Sequence, residues 1–308
     1  MNVTLLAGGT GGTKLAHGFA RMGEEVELTV VANVADDAEM HGLHVSPDID
    51  ALLYTLADLI DADRGWGVRG DTHTAHAMFE RLGAATWFTI GDADLATNVE
   101  RTRRLRAGDT LTDATAALAA ALGIGARILP ATDDRYRTLL ETDEGTLEFQ
   151  EYFVRRRQEP RVRGIGFTGE ARPTAAVLEA IGAANLVVIG PSNPLVSIGP
   201  SLELPGVRDA LRAAHATKVA VSPIVGGRAL KGPADRMLAS LGHEPSALGV
   251  ARLYAGLVDV FVLDETDAGL APAIRSLGMR AEVLPTVMRN DDDRTQLAGA
   301  LLALGRER

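Results

Sequence analysis

A short apolar run, Val3-Thr4-Leu5-Leu6-Ala7, passes directly into Gly8-Gly9-Thr10-Gly11-Gly12-Thr13-Lys14. Four glycines in five positions leave almost no side chains after what reads as a buried strand. Backbone N–H groups can then close around a bulky anion. The pattern predicts a strand, a glycine-rich turn and a helix from about Leu15. The positive end of that helix and the Lys14 charge make a phosphate the natural guest. The plainer alternative is a tight turn in which glycine serves backbone shape alone.

Two familiar phosphate motifs fail here. A P-loop ends in Gly-Lys-Ser/Thr, but counting from Gly8 the corresponding residues are Thr13-Lys14-Leu15. A dinucleotide fingerprint started at Gly9 puts Lys14 where the third glycine belongs. The loop therefore suggests phosphate binding without a standard nucleotide motif.

Short apolar runs alternate with helical patterns along the 308 residues. They predict an α/β fold, a Rossmann-like parallel sheet flanked by helices. Strands are expected over 3–7, 27–32, 186–189, 218–221 and 259–263, all rich in Val, Ile and Leu. Helices are expected over 15–22, 49–60, 74–82, 93–107, 111–122, 173–183, 207–214, 233–241, 247–257 and 296–305. The stretch 65–169 differs, with helices first and then strand-like pieces at 127–129 and 147–152. It reads as a mainly helical insertion within a single domain spanning 1–308. Loops rich in glycine and proline follow several strands, as at Gly190-Pro191-Ser192-Asn193-Pro194 and Ser222-Pro223-Ile224. In open parallel sheets such loops converge on one crevice at the carboxyl ends of the strands.

Composition narrows the class. With no cysteine there is neither a disulfide framework nor a thiolate zinc site. Met1 leads straight into a strand, and no apolar run approaches the roughly 20 residues of a membrane span. A cytoplasmic enzyme with no membrane partner is expected. The net charge of −10 argues against a nucleic-acid partner. An acidic chain that binds phosphates must neutralise them locally, with a metal ion or clustered basic residues.

Asn33-Val34-Ala35-Asp36-Asp37 and Ser46-Pro47-Asp48-Ile49-Asp50 form an acidic patch. Such carboxylates suit magnesium, or can accept a proton from an attacking hydroxyl. Asp48 and Asp50 also stand at a helix start, where a carboxylate favours the dipole without any function. His41 and His44 are expected to bond to substrate or backbone rather than to a metal. Among basic residues, Arg155, Arg156, Arg157, Arg161 and Arg163 are the densest run, facing phosphates, a neighbouring subunit or solvent. Arg101, Arg103, Arg104 and Arg106 are expected to be solvated on their helix. Trp66 and Trp87 are candidate walls for a flat ring or ordinary core.

Eight segments then resemble, in order, the 2-phospho-L-lactate transferase family, which includes phosphoenolpyruvate transferase variants. They are residues 8–14, the stretch from Asn33 to Asp50, Arg64-Gly65-Trp66-Gly67, Gly91-Asp92-Ala93-Asp94, Leu129-Pro130-Ala131-Thr132-Asp133-Asp134, Phe149-Gln150-Glu151, Gly190-Pro191-Ser192-Asn193-Pro194 and Ser222-Pro223-Ile224. The resemblance implies a magnesium-dependent homodimer acting in coenzyme F420 biosynthesis. The reaction it implies moves a 2-phospholactyl or phosphoenolpyruvyl group from a guanosine diphosphate-linked donor to the ribityl hydroxyl of the deazaflavin Fo, releasing GMP.

The resemblance also implies roles. Gly8, Gly9, Thr10, Gly11, Gly12, Thr13 and Lys14, with Ser192 and Asn193, would cradle the donor. Asp48 and Asp50 would be catalytic, with Asp36, Asp48 and Asp50 the candidate magnesium ligands. Asp50, His44, Trp66 and Thr89 would contact Fo; Thr89 stands where many relatives carry a basic residue. A second reading is a regulator of the gluconeogenesis-factor type, which binds nucleotide-linked sugars. Its glycine- and serine-rich sequence after paired aspartates is replaced here by Ala38-Glu39-Met40-His41-Gly42.

Overall fold

The computed structural model describes residues 1–307. Its centre is a parallel sheet of seven strands: β1 Asn2–Ala7, β2 Glu27–Ala32, β3 Arg127–Pro130, β4 Leu186–Ile189, β5 Thr217–Val221, β6 Val260–Asp264 and β7 Arg280–Leu284. They lie in the order 7-6-5-4-1-2-3. The chain winds outward from β1 in one direction and from β4 in the other. The topological switch point therefore falls between those two neighbours.

Alternation along each strand builds two cores. Val3, Leu5 and Ala7 pack on one face with Leu15, Phe19, Leu53 and Leu301. Leu6, Val31 and Phe261 face the other way, against Ile181, Leu211 and Val250. Thr4, on that second face, donates its hydroxyl to the Ala180 carbonyl at 2.8 Å. Helices α1 Gly9–Ala20, α2 Pro47–Leu56 and the C-terminal Asp291–Arg306 cover the first face. Between them come α3 Thr74–Arg81, α4 Asp92–Ala107 and α5 Leu111–Ala121.

Three differences from the sequence expectations have physical reasons. α1 begins at Gly9 rather than near Leu15, so the glycines form its first turn. β7 escaped notice because Arg280 and Glu282 interrupt its apolar pattern; an edge strand tolerates them, and the two side chains, two residues apart on one face, pair with each other. The expected strand at 147–152 divides into the strand Gly145–Glu148 and a wide helical turn, Glu151–Arg155. In that turn Arg156 N–H reaches back to the Glu151 carbonyl at 2.8 Å. Within 65–169, β3 joins the main sheet beside β2, while Arg137–Thr142, Gly145–Glu148 and Val162–Thr168 form a separate antiparallel sheet. That small sheet has its own core of Leu140, Phe149, Tyr152 and Val162.

The contact between α1 and the C-terminal helix leaves no room for a side chain at Gly18, where a Cβ would stand 2.2 Å from the Arg294 carbonyl oxygen. Replacing a helical glycine by alanine normally gains up to about 1 kcal/mol. Here overpacking against backbone outweighs that gain. Gly18→Ala is expected to lower stability by about 1–3 kcal/mol and the melting temperature by several degrees. A thermal melt at or above the parent value would show that the two helices separate freely.

Candidate functional site

A cleft of about 690 Å³ opens at the switch point, within the usual range for small-molecule sites. The turn after β1 forms one side and the loop after β4 another. Gly8, Gly9, Thr10, Gly11 and Lys14 line it together with Ser192 and Asn193. Gly12 and Thr13 lie behind: a Cβ on Gly12 would meet Ala7 at 2.8 Å, and the Thr13 hydroxyl donates to Gly9 O at 2.9 Å. Gly11 could not carry a side chain, since its Cβ would lie 2.0 Å from the Pro191 carbonyl oxygen. Gly9 has φ of +60°, the left-handed region. Close packing of one loop on the other thus already demands glycine, apart from any ligand.

The floor of the cleft is acidic. Asp36, Asp48, Asp50 and Asp94 all line it. Asp48 accepts from Gly9 N–H at 2.7 Å and from Asn33 Nδ2 at 2.9 Å. It therefore satisfies the first turn of α1, while its own helix, α2, has no side-chain cap. Burial pushes the Asp48 carboxyl up to about 6, against the pull of those two hydrogen bonds. Asp36 is pushed well above the ordinary value by burial and then by the charge of Asp48; Thr138 Oγ1 donates to it at 3.3 Å. Asp94 rises to about 6 through burial and the nearby Asp50 charge, while the Tyr54 hydroxyl donates to it at 2.8 Å.

Asp50 differs because it has a partner. Arg101, on α4, is 0% exposed and forks onto both Asp50 oxygens, one contact at 3.2 Å and one shorter. Burial raises the Asp50 carboxyl and the guanidinium opposes it. Desolvation works against the Arg101 charge, but the Asp50 carboxylate outweighs it and the guanidinium stays protonated. The expectation that Arg101 would be solvated is corrected here. The signal was a polar stripe at helical spacing, Asp94, Asn98 and Arg101, on a face of α4 that buries Asn98 and Arg101 and half-buries Asp94.

Lys14, Arg64 and Lys231 bring positive charge to the same cleft. Burial lowers the Lys14 pKa, helped by Arg294 and Lys231, and its ammonium donates to the Met288 carbonyl at 2.8 Å. Lys231 and Arg64 had no assigned role in the sequence; Lys231 arrives from a distant loop that carries no motif. Arg155 and Arg156 instead pair with Glu151 and Glu144. Trp66, 46% exposed, joins Phe88, Phe149 and Phe153 as apolar wall, and Thr89 lines the cleft beside Phe88. Trp87 packs edge-on against Phe88 instead. The His44 ring lies 2.9 Å from Asp37, outside the lining.

Among the described residues no group of three or more acidic or histidine side chains is set to hold a metal. Magnesium needs only one or two carboxylates, with water and phosphate oxygens filling the rest. Asp36 and Asp48 fit that demand: Asp36 is buried and Asp48 half-buried, both line the cleft, and burial and then the Asp48 charge work against ionising Asp36. Asp50 already has its counter-charge in Arg101.

Fold and cleft together define an α/β enzyme working at a doubly wound switch point. The chain belongs to the family described as 2-phospho-L-lactate transferase CofD, whose family model matches residues 3–280, and it is a transferase. It is 41% identical over 296 residues to a 2-phospho-L-lactate transferase of Methanosarcina mazei, covering 96% of this chain and 97% of that one. A phosphoenolpyruvate transferase of Streptomyces griseus is 39% identical over 315 residues, covering 100% and 99%. Among solved structures, a UPF0052-family protein of Bacillus halodurans shares the fold, with a TM-score of 0.66 at 17% identity over 98% and 99% of the two chains.

The raised carboxyls make stability depend on pH. Asp94 titrates near 6 in the folded chain, above its ordinary value, so folding takes up a proton between about pH 4 and 6. Its contribution is full below about pH 4 and is lost as pH rises through 6. Asp94→Asn, which still accepts from Tyr54, is expected to exceed the metal-free parent in stability by about 1–3 kcal/mol at pH 8. The difference should vanish near pH 4. Urea midpoints that differ equally at both pH values would contradict an ionised, buried Asp94.

Proposed function

We propose that the cleft transfers a 2-phospholactyl group, or its phosphoenolpyruvyl counterpart, from a guanosine diphosphate-linked donor to the ribityl hydroxyl of Fo, in coenzyme F420 biosynthesis. The supporting observation is an acidic floor and a cationic set, Lys14, Arg64 and Lys231, sharing one cleft in a chain of this family. A donor rich in phosphate and an acceptor rich in hydroxyls need opposite surroundings, and this cleft offers both. The homodimer and the cytoplasmic location expected from the sequence belong to the same proposal.

In this reading the acceptor oxygen attacks the phosphorus that bears the three-carbon group. The bond from that phosphorus to the bridging oxygen breaks, and GMP leaves with the electron pair. Asp50 receives the hydroxyl proton, and a phosphodiester results. Little covalent chemistry falls to the protein; it places the nucleophile in line and balances charge. Lys14, Ser192, Asn193 and the first turn of α1 hold the donor's phosphates. The Ser192 hydroxyl is buried in the cleft wall without a hydrogen-bond partner among the described residues, as a donor to such a phosphate would be. Asp36 and Asp48 would hold magnesium, which would neutralise the diphosphate. Trp66 and Phe88 flank the deazaflavin ring, and Thr89 stands beside them.

With magnesium and Fo, the protein is expected to release GMP from at least one of the lactyl, enolpyruvyl or glyceryl donors, and the product mass identifies which. Nucleotide binding without GMP release from any donor would favour the regulator instead. Asp50→Asn is expected to melt within a few degrees of the parent and to turn over at least 100-fold slower, about 3 kcal/mol of barrier. Asp48→Asn should need more magnesium for half-maximal rate. An Asp50→Asn enzyme running near the parent rate would return Asp50 to a purely structural role.

A further inference from the structure

We infer that Arg101 is a positioning residue of the transfer: sealed beneath the cleft floor, its guanidinium sets the plane of the Asp50 carboxylate that meets the acceptor. The inference deepens the function proposed above and rests on the role given there to Asp50. Arg101 does not line the cleft, whereas Asp50 does. Nη1 donates to Asp50 Oδ2 at 3.2 Å, to Asn98 Oδ1 at 2.8 Å and to the His44 carbonyl at 3.3 Å. Nη2 donates to Asp50 Oδ1 in a short contact. A planar fork on both oxygens fixes the rotation of a carboxylate, which a point charge cannot do. Each oxygen retains acceptor capacity for the cleft.

Two observations separate this from an ion pair kept for stability. Arg101 Nε is buried with no hydrogen-bond partner among the described residues. An apolar side chain would carry no such orphaned donor, so stability alone does not account for an arginine here. The rest of α4 also grips the segment that carries Asp50. His44 N–H donates to Thr102 Oγ1 at 2.8 Å on one side, and Tyr54 reaches Asp94 at 2.8 Å on the other. Arg101 lies between these two ties. α4 and the Asp50 segment are thus held as one unit, with Asp50 aimed into the cleft.

The test compares the parent with Arg101→Lys and Arg101→Met. Calorimetric titration with Fo, and separately with guanosine diphosphate plus magnesium, gives the two affinities without turnover. Lysine keeps the charge but cannot fork. Arg101→Lys is expected to melt within a few degrees of the parent, to weaken Fo binding at least tenfold and to leave nucleotide affinity within twofold. In steady state its KM for Fo should rise at least tenfold while its KM for the donor stays within twofold. Arg101→Met should lose Fo affinity further; if it does not fold, Arg101→Lys alone decides. A folded Arg101→Lys enzyme with Fo affinity and KM within twofold of the parent overturns the inference while leaving the transferase reading intact. A parent that neither binds Fo nor releases GMP overturns both.

Discussion

The close seating of one loop on another fixes this molecule. The first turn of α1 rests on the loop after β4 so tightly that a Cβ on Gly11 would fall 2.0 Å from the Pro191 carbonyl oxygen. Gly8 meets Ser197, and Gly12 meets Ser192 and Ala7, at 2.8–2.9 Å in the same sense. These contacts join β1 to β4 at the place where the winding of the sheet reverses. They also aim the start of α1 into the cleft. Fold and site therefore share one constraint: the glycines close the switch point and, in closing it, bare the backbone there.

Charge is the second theme. A chain of net charge −10 buries Asp36, Asp37 and Asp50 and half-buries Asp48 close by. Among the described residues the buried guanidinium of Arg101 is forked onto Asp50 alone of these four. Asp37 takes the Ser46 hydroxyl at 2.8 Å and the His44 ring at 2.9 Å, leaving one oxygen without a partner among the described residues. Asp48 takes an amide and an asparagine. The segment 33–50 is a web of polar contacts rather than a set of free ligands, and each member limits where its neighbour can point.

The strands were legible because burial on both faces forces continuous Val, Ile and Leu runs, and five of the seven announced themselves so. β7 did not, because an edge tolerates Arg280 and Glu282. The short β3 read as part of an insertion, because Arg127–Pro130 offers too few residues to reveal its neighbour. The glycine turn and the Asp48–Asp50 pair were visible as motifs. Arg101 was hidden among three neighbouring arginines, two of which pair with Glu100 on the helix surface. A periodicity argument sees charge as a solvated face; only packing across the chain, from 101 back to 50, reveals a buried counter-ion. Lys231 was hidden for a similar reason, since proximity in a cleft leaves no spacing to read.

The two halves of the cleft are unfavourable for opposite reasons. Burial raises the carboxyls of Asp36, Asp48 and Asp94, while burial and neighbouring cations lower Lys14. Each shift records charge that the protein alone leaves partly uncompensated. A diphosphate would relieve the cations, and a divalent ion would relieve the carboxylates. Each of those guests also carries the charge that the other lacks, so either one makes the site more hospitable to its partner. Such mutual relief would be a coupling free energy acting in both directions: the proposed donor would tighten metal binding as much as the metal would tighten donor binding. Ligands that bound only the folded chain would also stabilise the fold by mass action. In the proposed function, the charge left uncompensated in the cleft would thereby favour a guest bearing phosphate, cation and hydroxyls together.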